Sequence, residues 1–321
     1  MSSDPAPAPA VEFREGTTRD LRGAFEVSEV AVHHTARRAG VVDGGPPSTE
    51  QIAHDWSRQH ELLEFTAAQA GSSAWMAEEN GVLIGHGRVA RFGEMEELTE
   101  LMVLPSHHGR GIGRGLLERL WPGDPTPELG RVVVAAGSPA DLTLYADFGV
   151  APVAGHWHMR ARTEGYLERR SNEIDAAEPA VVVLESERAV AEWKRLEPPA
   201  IGHRRPMLQE FFGRTRKCLA TMDADAGEAT ALCWIGPDGE IGPAVAASPQ
   251  ALVPVVLQAL DRVAKSMEPD TLAVFCATDS WFLLRRLRQL SFRVWWPSWV
   301  MCSIPLPGLD RYLPTRPPHL L

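Results

Sequence analysis

The sequence has little of what disulfide-rich, metal-binding, secreted or membrane proteins need. Its four cysteines (Cys218, Cys233, Cys276 and Cys302) form no Cys-x-x-Cys pair, which indicates buried reduced thiols rather than a zinc site or a disulfide framework. No apolar run approaches the roughly 18 residues that cross a bilayer. The first ten residues carry proline and alanine without a basic or an apolar region, so they predict a disordered tail and no signal peptide. A cytoplasmic location and no membrane partner are therefore expected.

Positive charge is scarce as well. The chain has 32 Lys and Arg against 42 Asp and Glu, a formal net charge of −10 at pH 7. Nucleic-acid binding needs clustered positive charge, so nucleic acid is not expected as a partner. A small anionic ligand needs only a local positive site and stays compatible with this charge. The sequence does not distinguish a monomer from a homodimer.

The length predicts two domains, because 321 residues exceed what one core comfortably fills. From Val11 to Arg162, strand-like and helix-like stretches alternate. Thr163–Glu178 is charged, lacks the periodicity of a core element and is expected to cross between domains. The predicted fold class is α/β (α+β), with two tandem domains that each have a mixed, mostly antiparallel central sheet flanked by helices. The predicted division is a tail at 1–10, a first domain at 11–165, and a second at 166–321 that ends in a Pro-rich tail.

Local patterns place the elements of the first domain. Ser48, with Gln51 three residues later, predicts the start of a helix, and Asn80-Gly81 predicts a hairpin turn. Helices are predicted over Asp20–His33, from Ser48 to about Ala70, Gly111–Trp121 and Ala140–Phe148. Strands are predicted over Val11–Arg14, Ala74–Glu78, Val82–Arg91, Glu97–Leu104, Arg131–Ala136 and Pro152–Arg162.

Two weak internal matches indicate a duplicated domain. Gly115–Leu120 resembles Val255–Leu260, about 140 residues later, and Leu144–Val150 resembles Arg286–Phe292 at nearly the same offset. The second half has no alternating glycines over Ile241–Pro254, and Leu287 stands where the first half has Tyr145. The second domain is therefore interpreted as a degenerate copy without a cofactor site.

The loop between the strand at Glu97–Leu104 and the next helix predicts an anion site. Its sequence, residues 105–115, is Pro-Ser-His-His-Gly-Arg-Gly-Ile-Gly-Arg-Gly. It has no Gly-Lys-Ser/Thr, which excludes a P-loop, and neither glycine frame gives Gly-x-Gly-x-x-Gly, which excludes a dinucleotide fingerprint. Glycines let backbone N–H groups crowd around a pyrophosphate, the helix start adds donors, and Arg110 and Arg114 add charge. A tight turn before a helix is the simpler alternative.

These residues resemble the GNAT superfamily of N-acetyltransferases. The family signature is a strand ending in Val-x-Pro and then Gln/Arg-x-x-Gly-x-Gly/Ala, which Val103-Leu104-Pro105 and Gly111-Ile112-Gly113 match. His108 departs from the usual Gln or Arg. A second family element, Leu-Tyr-x-x-x-Gly-Phe, is kept in register by Leu144–Val150 except for its last residue.

The resemblance implies acetyl-CoA as co-substrate, no metal, and a small-molecule amine as acceptor. Coenzyme A is then expected between the strands Glu97–Leu104 and Arg131–Ala136, where the backbone of Met102 and Val103 would bind its pantetheine arm. The other residues expected at the cofactor are His108, Gly109, Arg110, Gly111, Ile112, Gly113, Arg114 and Ser138, the last in place of a frequent Asn.

Acetyl transfer to an amine needs a base, an oxyanion donor and an acid for the thiolate. Tyr145 falls where the family has its acid, and Glu97 where well-studied members have a base. Strand alternation puts Glu97 with Leu101 and Val103 on one face and Glu100 on the other, and Glu100 stays in reserve. Core packing for Tyr145, and solvation at a strand end for either glutamate, are the structural alternatives.

Other features leave the acceptor open. His33, His34, His54, His60 and His86 could line its pocket, but ordinary structural roles are favoured. Arg37-Arg38, in the predicted loop Thr35–Ser48, would suit an acidic acceptor. The tryptophans Trp281, Trp295, Trp296 and Trp299 are interpreted as core or interface anchors. A non-catalytic acetyl-CoA sensor or scaffold is the alternative function. The chain also resembles the mycothiol synthase type in length and duplication, although those enzymes use their second half.

Overall fold

The computed structural model describes residues 10–136, 138–172 and 179–315. These residues divide into two compact units. The first holds the described residues up to Arg91 together with Glu96–Asp124, and the second holds Phe92–Met95 and the described residues from Pro125 onward. The predicted tail at 1–10 lies outside the described residues except for Ala10. The predicted boundary at 165/166 falls inside the second unit and stays a prediction.

The first unit is a sheet of four strands with three helices. Its strand order is β1-β2-β3-β4, and β1–β2 and β2–β3 are antiparallel. The capping box at Ser48 and the turn at Asn80-Gly81 form as predicted, with φ of 52° and 74° in the turn. In chain order the elements are β1 (Val11–Glu15), α1 (Leu21–Arg38), α2 (Thr49–Ala67), β2 (Ser73–Glu79), β3 (Val82–Phe92), β4 (Met95–Val103) and α3 (Ile112–Leu120).

The second unit continues with the rest of the chain. Its first elements are β5 (Gly130–Ala135), α4 (Pro139–Ala146), β6 (Ala151–Arg162) and α5 (Thr163–Ser171). They are followed by β7 (Val181–Leu184), α6 (Ser186–Leu196), α7 (Pro198–Ile201), α8 (Pro206–Thr215), β8 (Lys217–Met222), β9 (Ala229–Ile235), β10 (Ile241–Ala246), α9 (Pro249–Ser266), β11 (Thr271–Ala277), α10 (Trp281–Gln289), β12 (Arg293–Cys302) and β13 (Tyr312–Leu313).

The element order repeats, which confirms the predicted tandem α/β fold. The series from β1 to β6 recurs from β7 to β12, with α7 as an added short helix. Gly115–Leu120 lies in α3 and its match Val255–Leu260 in α9, the corresponding helix. Gly149 and its match Ser291 both have a left-handed backbone, with φ of 82° and 73°. The duplicate halves therefore share even this turn.

The two halves exchange a strand. In the second unit the order β5-β12-β6-β11 places β12 between β5 and β6, and β6 between β12 and β11. All three of these pairings are antiparallel. One face of β6 carries Met159 and Ala161 into a large core, which is built with α9 and α10. A separate sheet has the order β13-β10-β9-β8-β7.

Two local expectations were wrong. Helix α1 continues through Thr35, whose hydroxyl donates to Ala31 O at 3.0 Å, so the predicted loop is shorter by four residues. The stretch after Arg162 forms α5, because Tyr166 is buried and donates to Asp261 at 2.6 Å. Trp281 does not lie in the core, since 64% of it is exposed, and its interpretation as an interface anchor stays a prediction. Residues 173–178 of the predicted crossing lie outside the described residues.

Candidate functional site

The glycine loop has the conformation that the anion-site prediction requires. A short 3-10 turn follows β4, and Gly111 then caps α3. Gly109 and Gly111 have φ of 77° and 76°, in the left-handed region that disfavours other residues. No described atom lies within 4 Å of a Cβ built at either position. Both glycines therefore present their backbone to open space at the N-terminal end of a helix, where N–H groups lack intrahelical partners.

Gly115 is needed for packing rather than for an open backbone position. A Cβ there would lie 2.7 Å from Phe13 Cζ, so the tip of this ring, which belongs to β1, approaches α3 closely at this residue. The guanidinium of Arg119 lies 4.2 Å from the same ring centroid. The alternating glycines thus combine two open backbone positions with one packing position.

Glu79 contacts two side chains of the loop. Its Oε1 accepts from Arg110 Nη2 at 2.6 Å, and its Oε2 lies 3.2 Å from His107 Nε2. The hydrogen bond from Arg110 is the main reason why the pKa of Glu79 is lowered, with a smaller contribution from His107. No sequence pattern indicates Glu79 as a neighbour of the loop, because only the hairpin that follows β2 brings it there.

His108 ties the loop back to β4. Its Nε2 lies 2.9 Å from Val103 O, and because a carbonyl only accepts, Nε2 carries the proton. Nδ1 is then the ring nitrogen left for other contacts. His34 of α1 packs edge-on against this ring, with centroids 6.0 Å apart. The hydrogen bond from His108 occupies Val103 O. The resemblance assigns the backbone of Val103 to the pantetheine arm, so this carbonyl already has a partner within the chain.

The alternation predicted for β4 is present as far as Val103, whereas Leu104, predicted on the face of Glu100, lies in the cluster of Leu101 and Val103. Leu101 and Val103 pack with Ile112 and Leu116 of α3, whereas Glu100 faces α1. Glu97 and Glu100 are both buried, so the solvated alternative is wrong for each of them.

Glu100 belongs to a buried polar cluster with three other residues. Its Oε1 accepts from Ser28 Oγ at 3.3 Å, and its Oε2 lies 3.3 Å from Arg88 Nη1, an ion-pair distance without hydrogen-bond geometry. Ser28 Oγ is also 2.9 Å from His86 Nε2. Burial lowers the pKa of His86 to about 4, partly opposed by the charge of Glu100, so the ring is neutral at pH 7. Glu100 therefore neutralises Arg88 inside the first unit.

Tyr145 and Ser138 lie in the second unit, on α4. Ser138 caps the helix, with its Oγ accepting from Asp141 N at 3.1 Å. Tyr145 is buried near the end of α4. Burial, helped by the charge of Asp141, raises the pKa of its phenol, so the hydroxyl stays protonated throughout the neutral range.

Other classes of site are not found in the described part of the chain. No group of three His, Cys, Asp or Glu side chains there could hold a metal ion. The four cysteines are free and buried, as the sequence predicts. Within the same residues, no helix has the length and apolarity to span a bilayer.

One family model matches the part of the chain that holds the glycine loop. Residues 70–149, which hold β4, the glycine loop, α3 and α4, match the family model of the acetyltransferase (GNAT) domain. No curated protein matches the chain.

Several solved structures share the whole fold. A candidate acetyltransferase from Pyrococcus horikoshii superposes with a TM-score of 0.68 at 15% identity, covering 97% of this chain and 96% of that one. A tandem GNAT protein from the clavulanic acid biosynthesis pathway gives 0.61 at 16% identity, covering 92% and 99%. A GCN5-related N-acetyltransferase from Sphaerobacter thermophilus gives 0.56 at 16% identity, covering 94% and 97%. Residues 70–149 thus match a GNAT acetyltransferase domain, and the chain shares its fold with a tandem GNAT protein.

Proposed function

We propose that this protein is an N-acetyltransferase that moves the acetyl group of acetyl-CoA to the primary amine of a small molecule. The amine would attack the thioester directly. The observation that carries the proposal is the left-handed backbone of Gly109 and Gly111 at the start of α3, open to solvent and flanked by Arg110. The sensor or scaffold function uses the same loop and is tested below.

The loop fits a pyrophosphate. The N–H groups of the segment Gly109–Arg114 would bind its oxygens, and Arg110 would supply charge. His108 would act through its ring position on Val103, because Val103 O already accepts the proton of its Nε2. Bound acetyl-CoA would supply the activated acyl group; Met102, Val103 and Ser138 are the further residues proposed to hold it.

Tyr145 is proposed as the acid. Its raised pKa keeps a proton on the phenol at the pH where the thiolate leaves, which is the state that a donor needs. Glu97 is proposed as the base that accepts the proton of the amine. Glu100 is the weaker candidate, because Ser28 and Arg88 already engage its two oxygens.

A matched pair of glycine variants tests the loop. Gly111→Ala and Gly81→Ala place the same methyl group at nearly the same φ, 76° and 74°, with open space around both. Each should lose about 1–2 kcal/mol of stability through left-handed strain. Only Gly111→Ala should weaken acetyl-CoA binding in calorimetry, because only this residue borders the proposed phosphate site. Equal affinities for the two variants would remove the loop from the binding site.

Turnover separates the enzyme from the sensor. Thiol release from acetyl-CoA should be measured against amines, amino acids, polyamines and peptide N-termini. With an active acceptor, Tyr145→Phe should lower kcat by about 10²–10⁴-fold. Tyr166→Phe, which removes another buried phenol bonded to Asp261 at 2.6 Å, is the control expected to keep kcat. Tight acetyl-CoA binding without thiol release for any acceptor would favour the sensor.

A further inference from the structure

The C-terminal segment of the described chain lies between two strands of the second half. β13 pairs with β10 in antiparallel register, Ala244 opposite Leu313 and Val245 opposite Tyr312. It also contacts β11, which belongs to the other sheet. By element order, β10 and β11 are the counterparts of β4 and β5 in the first half. The chain therefore fills, with its own backbone, the gap between this second pair of strands.

Side chains of the segment are buried on both sides of β13. Leu313 is fully buried in the core that contains Ile241 and Leu252. Tyr312 is also fully buried, and its hydroxyl accepts from Arg205 Nη2 at 2.6 Å. Arg205 in turn donates to Glu197 Oε1 at 2.8 Å, so the phenol completes a buried ion pair. The sequence predicts a Pro-rich tail at this end of the chain. In the structure, the part of it up to Thr315 contributes buried residues to the core.

The surroundings fit an extended backbone. Ser280 Oγ lies 2.7 Å from Leu309 O and 3.2 Å from Tyr312 O. Two carbonyl oxygens of the segment thus lie within hydrogen-bond distance of one hydroxyl. A Cβ at Gly242 would lie 3.0 Å from Pro314 O. Strand β10 thus has a glycine where the segment approaches most closely. A phosphate loop is missing here, since Ser248 caps α9 and Pro254 lies within it.

We propose that the groove between β10 and β11 is a strand-binding site whose ligand is the segment Leu309–Thr315 of the same chain. Main-chain pairing with β10 supplies the general affinity, and the pockets for Tyr312 and Leu313 supply the specificity, as in strand addition to a sheet edge. One consequence rests on the proposed function. The segment occupies the second half's counterpart of the proposed cofactor cleft, so the chain should bind one acetyl-CoA.

A cleavable link tests whether the segment behaves as a ligand. A protease site inserted after the exposed Pro305 would be cut in the purified, full-length protein. We expect the fragment from Leu306 onward to stay bound through gel filtration and to be displaced by excess synthetic Leu309–Thr315 peptide. Prompt loss of the fragment without any change in the melting temperature Tm of the remaining protein would overturn the proposal.

Two substitutions refine the test without relying on a truncated chain. Tyr312→Phe removes the bond to Arg205 and should speed fragment release by about tenfold or more. Asp310→Asn is the matched control in the same segment, because Asp310 Oδ1 makes no hydrogen bond to the described residues. Equal release from both variants would contradict the assigned pocket.

Calorimetry of the uncut protein with acetyl-CoA tests the consequence. One site per chain is expected, and two sites would overturn the closure of the second half. Absence of any binding would instead refute the proposed function. The proposal of a strand-binding site would then still be tested by the retention of the fragment.

Discussion

Strand β4 carries two buried glutamates, Glu97 and Glu100. The ion pair of Glu100 with Arg88 allows a structural role of Glu100 to be distinguished from a catalytic one. Both side chains are 2% exposed, with Nη1 and Oε2 3.3 Å apart. Glu100→Gln would leave the charge of Arg88 buried without its partner, which costs about 3–5 kcal/mol. In a domain of about 150–250 residues 1 kcal/mol shifts Tm by roughly 2–4 °C, so on this scale Tm should fall by about 6–20 °C.

The double variant Arg88→Met/Glu100→Gln gives the decisive comparison. Removing both charges together is often neutral, because no buried charge is left uncompensated. The double variant should therefore recover most of the lost Tm, so the coupling energy in the cycle should be at least about 3 kcal/mol, the lower estimate for breaking the pair. Its thiol release should match the wild type if Glu100 is structural and Glu97 is the base.

Two results would refute this reasoning. Additive losses of Tm in the double variant would show that the two charges do not stabilise each other. A stable double variant without thiol release, next to an active Glu97→Gln, would move the base to Glu100. Arg88→Met alone serves as the third corner of the cycle.

Three further outcomes are expected. Glu79→Gln should lower the acetyl-CoA dissociation constant, because the carboxylate competes with phosphate for Arg110, 2.6 Å away; weaker binding in calorimetry would instead make Glu79 a positioning residue. Gly115→Ala should lower Tm although alanine favours helices by about 1 kcal/mol, since its Cβ would lie 2.7 Å from Phe13 Cζ, and Phe13→Leu in addition should restore Tm. His86 has a folded-state pKa of about 4 against 6.5 when unfolded, so the wild type should lose stability as pH falls from 6.5 to 4. That loss should exceed the loss in His86→Gln by about 3 kcal/mol in urea titrations, and equal losses would contradict a buried neutral ring.

Local chemistry made part of the fold predictable from the sequence. The reciprocal bonds of Ser48 and Gln51, and the left-handed pair Asn80-Gly81, depend on neighbours in the chain, and both formed as predicted. The glycine loop was predictable for the same reason. The position of Glu79 was not, because it depends on which strand end meets the loop in space.

Long-range pairing escaped the sequence analysis for a related reason. An apolar, β-branched stretch such as β12 predicts a strand without predicting its neighbours. Its place between β5 and β6 depends on contacts that span more than 130 residues of sequence. The burial of β13 was equally hidden, because prolines around Tyr312 favour an exposed tail when only the sequence is considered.

The exchanged strands predict that the two halves cannot fold apart. A cut after Asn172 keeps α5 whole but separates β6 from both of its neighbours, β11 and β12, and separates β12 from β5. Each fragment would then expose the edges of unpaired strands, which promote aggregation. Fragments 1–172 and 173–321 should therefore be insoluble when made singly and should co-purify when made together. A first fragment that is monomeric and unfolds cooperatively by itself would show that β6 does not need the strands of the second half, and that sequence order rather than strand exchange defines the folding units.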